Sequence, residues 1–148
     1  MALPSPWIHV ATAEAGDNEM AERIAAHQAR RGARWQAIEA PHDLALPLKT
    51  APAQAPVLID CLTLWLSNRM LANVDVEPEI AGLEEALEAR DGVVVLVSNE
   101  VGSGIVPDNA LARRFRDLQG RLNQRLTARA DRVILVVAGL PLMLKGPR

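Results

Sequence analysis

In a 148-residue chain with three histidines, the placement of His27 is the first feature that bears on chemistry. Met20, Ile24, His27 and Arg31 follow one another at spacings of four, three and four, which on a helix sets all of them along one narrow stripe. A neutral imidazole attacks phosphorus well near pH 7, and Arg30, Arg31 and Arg34 stand close in sequence to neutralise phosphate oxygens. The same spacing also suits a partly packed histidine near a helix C-terminus, where positive charge is favoured. Spacing alone leaves both readings open.

Asp60 closes the run Val57-Leu58-Ile59-Asp60, the pattern of a strand-end carboxylate that helps hold nucleotide-bound Mg²⁺. It equally fits an aspartate that caps the helix after the strand. The stretch "SNEVGSGIVPDN" (98–109) takes a charged Glu100 out of a hydrophobic strand. Gly102 and Gly104 permit close backbone approach to a ligand, and Pro107 with Asp108 opens an arginine-rich helix. The alternative is a strained loop between a strand and a helix. In "CLTLWLSN", Thr63, Trp65, Ser67 and Asn68 are pocket candidates, with Trp65 equally suited to filling a core.

These residues need a scaffold, and the hydrophobic pattern supplies one. Four near-continuous apolar runs, at 7–13, 56–63, 93–100 and 132–139, read as strands covered on both faces in a parallel sheet. Helical patterns separate them: Asp17 to Arg31, Leu62 to Ala72, Pro78 to Arg90, and Asn109 to Ala130. In the last, Leu111, Phe115, Leu118, Leu122 and Leu126 form an apolar stripe. The Ala/Pro-rich piece from Pro47 to Pro56 reads as a connector. Alternating strands and helices imply an α/β fold, whose ligands sit beyond the carboxyl ends of the strands. Those ends carry Thr12 and Glu14, then Asp60 and Thr63, then Ser98, Asn99 and Glu100.

Composition narrows the function classes. At 49% hydrophobic, the chain can bury one core, and a single domain over 1–148 is expected. A net charge of -2 gives no global basic field for nucleic acid or an anionic membrane, and the basic face of the last helix lacks aromatic interleaving. The sixteen basic residues include only two lysines, Lys49 and Lys145. The single cysteine, Cys61, cannot form an internal disulfide, which fits a reducing compartment. The longest apolar stretch, Val133 to Leu144, falls short of the roughly 20 residues a membrane helix needs and is interrupted by Gly139 and Pro141; it reads as a buried strand plus a loop. The N-terminus has neither a basic region nor a long apolar one, so a cytoplasmic protein is expected.

Three stretches, "ATAEAGDNEMAERIAAHQARR", "LIDCLTLWLSN" and "VLVSNEVGSGIVPDNALARRFRDLQGRLNQRL", resemble the bifunctional adenosylcobinamide kinase / adenosylcobinamide-phosphate guanylyltransferases of cobalamin biosynthesis. The resemblance covers nearly the whole chain. It implies a P-loop NTPase-like (RecA-like) α/β fold, a mostly parallel sheet flanked by helices. The family's R-I-x-x-H pattern falls on Arg23, Ile24 and His27, which makes His27 the catalytic acceptor of GMP from GTP. By the same resemblance Ala11, Thr12, Ala13, Gln28, Ala29, Arg30, Arg31, Glu39 and Asp60 contact the nucleotide, with Asp60 also at the metal. GTP, ATP and Mg²⁺ are the implied cofactors. Adenosylcobinamide and its phosphate are the implied substrates, and a homo-oligomer, typically a trimer, the implied assembly. Two departures stand out. Gly32 replaces the family's usual proline, and the sequence contains no G-x-x-x-x-G-K-[ST], so the first strand and P-loop are expected to be missing. The alternative expectation is a non-catalytic remnant that folds or oligomerises without binding triphosphate.

Overall fold

The computed structural model describes residues 3, 5–14 and 32–147. The helix expected over Asp17 to Arg31 lies outside them. The described residues form two compact units, Met1–Asn99 and Glu100–Arg148.

The first unit is built on a four-stranded sheet from β1 (Trp7–Ala11), β2 (Trp35–Glu39), β3 (Val57–Asp60) and β4 (Val94–Leu96), in the order β2-β1-β3-β4. Every pairing is parallel. The α/β expectation therefore holds for this unit. β2 and the helix α1 (Ala45–Thr50) were not foreseen. Trp35-Gln36-Ala37-Ile38-Glu39 is an edge strand whose mixed polarity gives no continuous apolar run, unlike the central β1 and β3. The supposed connector at 47–56 begins as helix because Pro47 occupies the first turn of α1, where the missing amide is tolerated. Asp43 Oδ1 accepts from the amides of Ala45 and Leu46 at 2.9 and 3.1 Å and starts that turn.

The helices α2 (Leu62–Leu71) and α3 (Glu77–Glu88) follow the expected positions to within two residues. Ile8, Val10, Val57 and Ile59 from the central strands are buried in the core, as are Leu62, Trp65 and Leu66 of α2 and Ile80 and Leu83 of α3. Trp65 keeps its indole N–H satisfied by donating to the His42 carbonyl at 2.7 Å. Arg90 holds the 47–56 segment in place: its guanidinium donates to the carbonyls of Leu48, Ala51, Pro52 and Ala55 at 2.6–3.3 Å. Gly92 lies against the same segment, and a Cβ there would sit 2.5 Å from the Ala53 oxygen.

The second unit holds the long helix α4 (Ala110–Arg129) and a hairpin of β5 (Val133–Val137) and β6 (Leu140–Lys145). Asn109 caps α4 by accepting from the Ala112 amide at 2.8 Å. Only the C-terminal half of the apolar stripe is deeply buried: Leu122 and Leu126 are, whereas Leu111 is exposed. β5 corrects the expectation of a fourth parallel strand. It pairs antiparallel with β6 in a separate two-stranded sheet, and Ile134, Val136, Leu140, Leu142 and Leu144 are exposed. The turn explains the pairing, because Ala138 (φ 51) and Gly139 (φ 77) both take positive φ, as a two-residue type I′ hairpin requires. Among the described residues no helix is long and apolar enough to cross a membrane.

Candidate nucleotide site at the strand ends

Parallel register brings three of the expected residues into one row. Ala11 at the end of β1 is the partner of Glu39 at the end of β2 on one side and of Asp60 at the end of β3 on the other. Thr12 and Ala13 continue from β1 at the same edge. His27, Gln28, Ala29, Arg30 and Arg31 lie outside the described residues.

Thr12 fastens this edge. It is fully buried, and its hydroxyl donates to the Cys61 carbonyl at 2.7 Å while accepting from the Cys61 amide at 2.8 Å. Its own amide donates to the Asp60 carbonyl at 3.3 Å, and its carbonyl accepts from Asn68 Nδ2 at 2.8 Å. Asn68 also donates to the Pro41 carbonyl at 3.2 Å, so one amide side chain on α2 joins the segments leaving β1 and β2. A fourth link comes from Thr63, whose Oγ1 accepts from the Asn99 amide at 2.9 Å and ties the exit of β4 to the first turn of α2. The strand ends are thus held by side chain to backbone bonds.

Asp60 has 37% of its side chain accessible, and its Oδ2 stands 3.9 Å from Nε2 of the buried His9. The cap position of α2 is Cys61, with no side-chain cap bond, so the helix-capping alternative for Asp60 is not what the fold uses. A second pair, His42 Nε2 with Glu14 Oε1 at 3.0 Å, is about half exposed. Sequence reading missed both histidines. His9 is hidden in an apolar strand, and His42 lies between two elements of which neither was foreseen. Farther along α2, Arg69 makes a two-pronged bond to Glu79 of α3 at 2.7 and 2.8 Å. That bond holds the guanidinium pKa above its ordinary value.

Among the described residues no three His, Cys, Asp or Glu side chains gather as a metal site. Magnesium accompanying a triphosphate does not need such a cage, because phosphate oxygens and water supply most of its ligands and one or two carboxylates complete the set. Asp60, a hard oxygen donor at the accessible end of a strand, fits that role.

An open parallel sheet flanked by helices defines an α/β protein, the class in which ligands are bound beyond the carboxyl ends of the strands. Residues 1–144 match the family model for cobinamide kinase / cobinamide phosphate guanyltransferase, and the chain belongs to that family. It is 47% identical over 141 residues to the bifunctional adenosylcobalamin biosynthesis protein CobP of Pseudomonas aeruginosa, covering 93% of this chain and 82% of the relative. It is 39% identical over 155 residues to CobU of Salmonella typhimurium, covering 93% and 85% respectively. CobU of Escherichia coli is 36% identical over 158 residues, covering 95% and 87%.

Proposed function

We propose that this protein carries out two steps of cobalamin biosynthesis: phosphorylation of adenosylcobinamide with ATP or GTP, then transfer of GMP from GTP onto adenosylcobinamide phosphate. The products of the second step are adenosylcobinamide-GDP and pyrophosphate. The observation that carries the reading is the family match across 1–144. The strand-end row of Ala11, Glu39 and Asp60, with Thr12 and Ala13 beside it, supports a nucleotide at that edge.

In the transfer step, the imidazole of His27 bonds to the α-phosphorus of GTP as the bond to pyrophosphate breaks. A phosphate oxygen of the acceptor then attacks the same phosphorus, the P–N bond breaks, and the imidazole is restored. Gln28, Ala29, Arg30 and Arg31 follow the histidine directly, and the two arginines offset charge that builds on the nonbridging oxygens. Asp60 would hold Mg²⁺, which when bound screens the triphosphate charge. In this reading residues 1–148 act as one nucleotide-binding domain in a cytoplasmic homotrimer.

The test is product analysis. Incubation with adenosylcobinamide, ATP, GTP and Mg²⁺ should yield adenosylcobinamide-GDP and pyrophosphate in equal amounts. Formation of neither the phosphate ester nor the GDP derivative would contradict the proposal and favour a non-catalytic chain.

A further inference from the structure

The second unit contains a groove of ≈ 420 Å³ whose lining includes none of the residues placed above at the nucleotide. Its walls are the segment Glu100–Gly102 and one face of α4, with Arg116, Asp117, Gly120, Arg121 and Asn123 among the lining residues. Two features mark it as a binding surface.

The first is an ordered polar chain across it. Gln119, fully buried, donates from Nε2 to Asn123 Oδ1 at 2.9 Å, and Asn123 Nδ2 donates to Glu100 Oε1 at 2.8 Å. The chain fixes the carboxylate against the helix. The second is its charge, with the guanidinium residues Arg116 and Arg121 both in its lining.

The charges select the ligand class. Arg116 and Arg121 are balanced by Glu100 and Asp117, so a phosphate would meet two carboxylates as well as two guanidiniums. A neutral group that both donates and accepts suits the set better: its oxygen faces a guanidinium, and its N–H faces a carboxylate. Primary carboxamides have that chemistry, and the corrinoid acceptor in the proposed function carries them around its ring.

We infer that the groove between Glu100–Gly102 and α4 binds peripheral carboxamides of the corrinoid substrate, with Arg116 donating to an amide oxygen and Glu100 accepting from an amide N–H. This rests on the proposed function. Gly120 gives the groove its depth: a Cβ built there meets nothing within 4 Å, and its place on a helix means a side chain adds no backbone strain.

Equilibrium dialysis of the full chain against dicyanocobinamide, read by corrin absorbance, tests the inference. Gly120→Leu should fill the groove and weaken binding at least tenfold, with circular dichroism unchanged. Arg116→Gln, which keeps polarity but removes the guanidinium, should weaken it severalfold. Wild-type affinity in both variants would overturn the groove assignment alone. Failure of the unaltered chain to bind dicyanocobinamide would overturn it together with the proposed function.

Discussion

At the residue scale, the strand-end site depends on Thr12 more than on any charged group. One hydroxyl satisfies both the amide and the carbonyl of Cys61 inside the core, and no water reaches that position to replace it. Thr12→Val keeps the shape and removes both bonds; the Cys61 carbonyl still accepts from the Trp65 amide at 3.2 Å, so the Cys61 amide is the group that loses its partner. The expected cost is about 1–3 kcal/mol, the penalty for one orphaned buried group. Urea denaturation should show a lower midpoint for Thr12→Val and a near-native one for Thr12→Ser, which retains the hydroxyl. An equal loss in both would show that packing of the methyl, not hydrogen bonding, holds the edge. Sequence reading could place Thr12 at a strand end, yet a threonine that binds backbone across 49 residues leaves no local signal.

At the element scale, the central strands and long helices were legible because their hydrophobic patterns are strong. β1 and β3 are continuous apolar runs, and α4 has Asn109 as its cap and a repeating leucine stripe. The elements that escaped have ambiguous chemistry. β2 is a five-residue edge strand containing a glutamine and a glutamate, and α1 contains a proline. The β5–β6 hairpin was hidden by its turn. Ala138-Gly139 lacks the asparagine or aspartate that usually announces positive φ at the first position. An alanine at φ 51 stores backbone strain, which Asn tolerates better. Ala138→Asn should therefore stabilise the hairpin by about 0.5–1 kcal/mol, seen as several-fold slower amide exchange across residues 133–145. Unchanged or faster exchange would contradict the turn assignment.

At the scale of the whole molecule, the described residues fall into two compact units with different polar groups. The first gathers Ala11, Glu39 and Asp60 at the ends of parallel strands, and the second sets Glu100 against α4. The α/β class followed from alternating elements, and the family from ordered motifs that span nearly the whole chain, which the match over 1–144 bears out. Periodicity could not assign β5 its partner, since an apolar run fits a buried parallel strand and an exposed hairpin equally well. Nor could spacing decide the role of His27, because a packed histidine and a nucleophile occupy the same helical stripe. That role is central to the proposed GMP transfer. The direct measurement is intact mass of the chain after incubation with GTP and Mg²⁺, followed by peptide mapping. The expected result is the gain of one GMP, acid-labile, on the peptide containing His27, and no gain in His27→Asn. No adduct at saturating GTP, or an adduct that persists in His27→Asn, would contradict it.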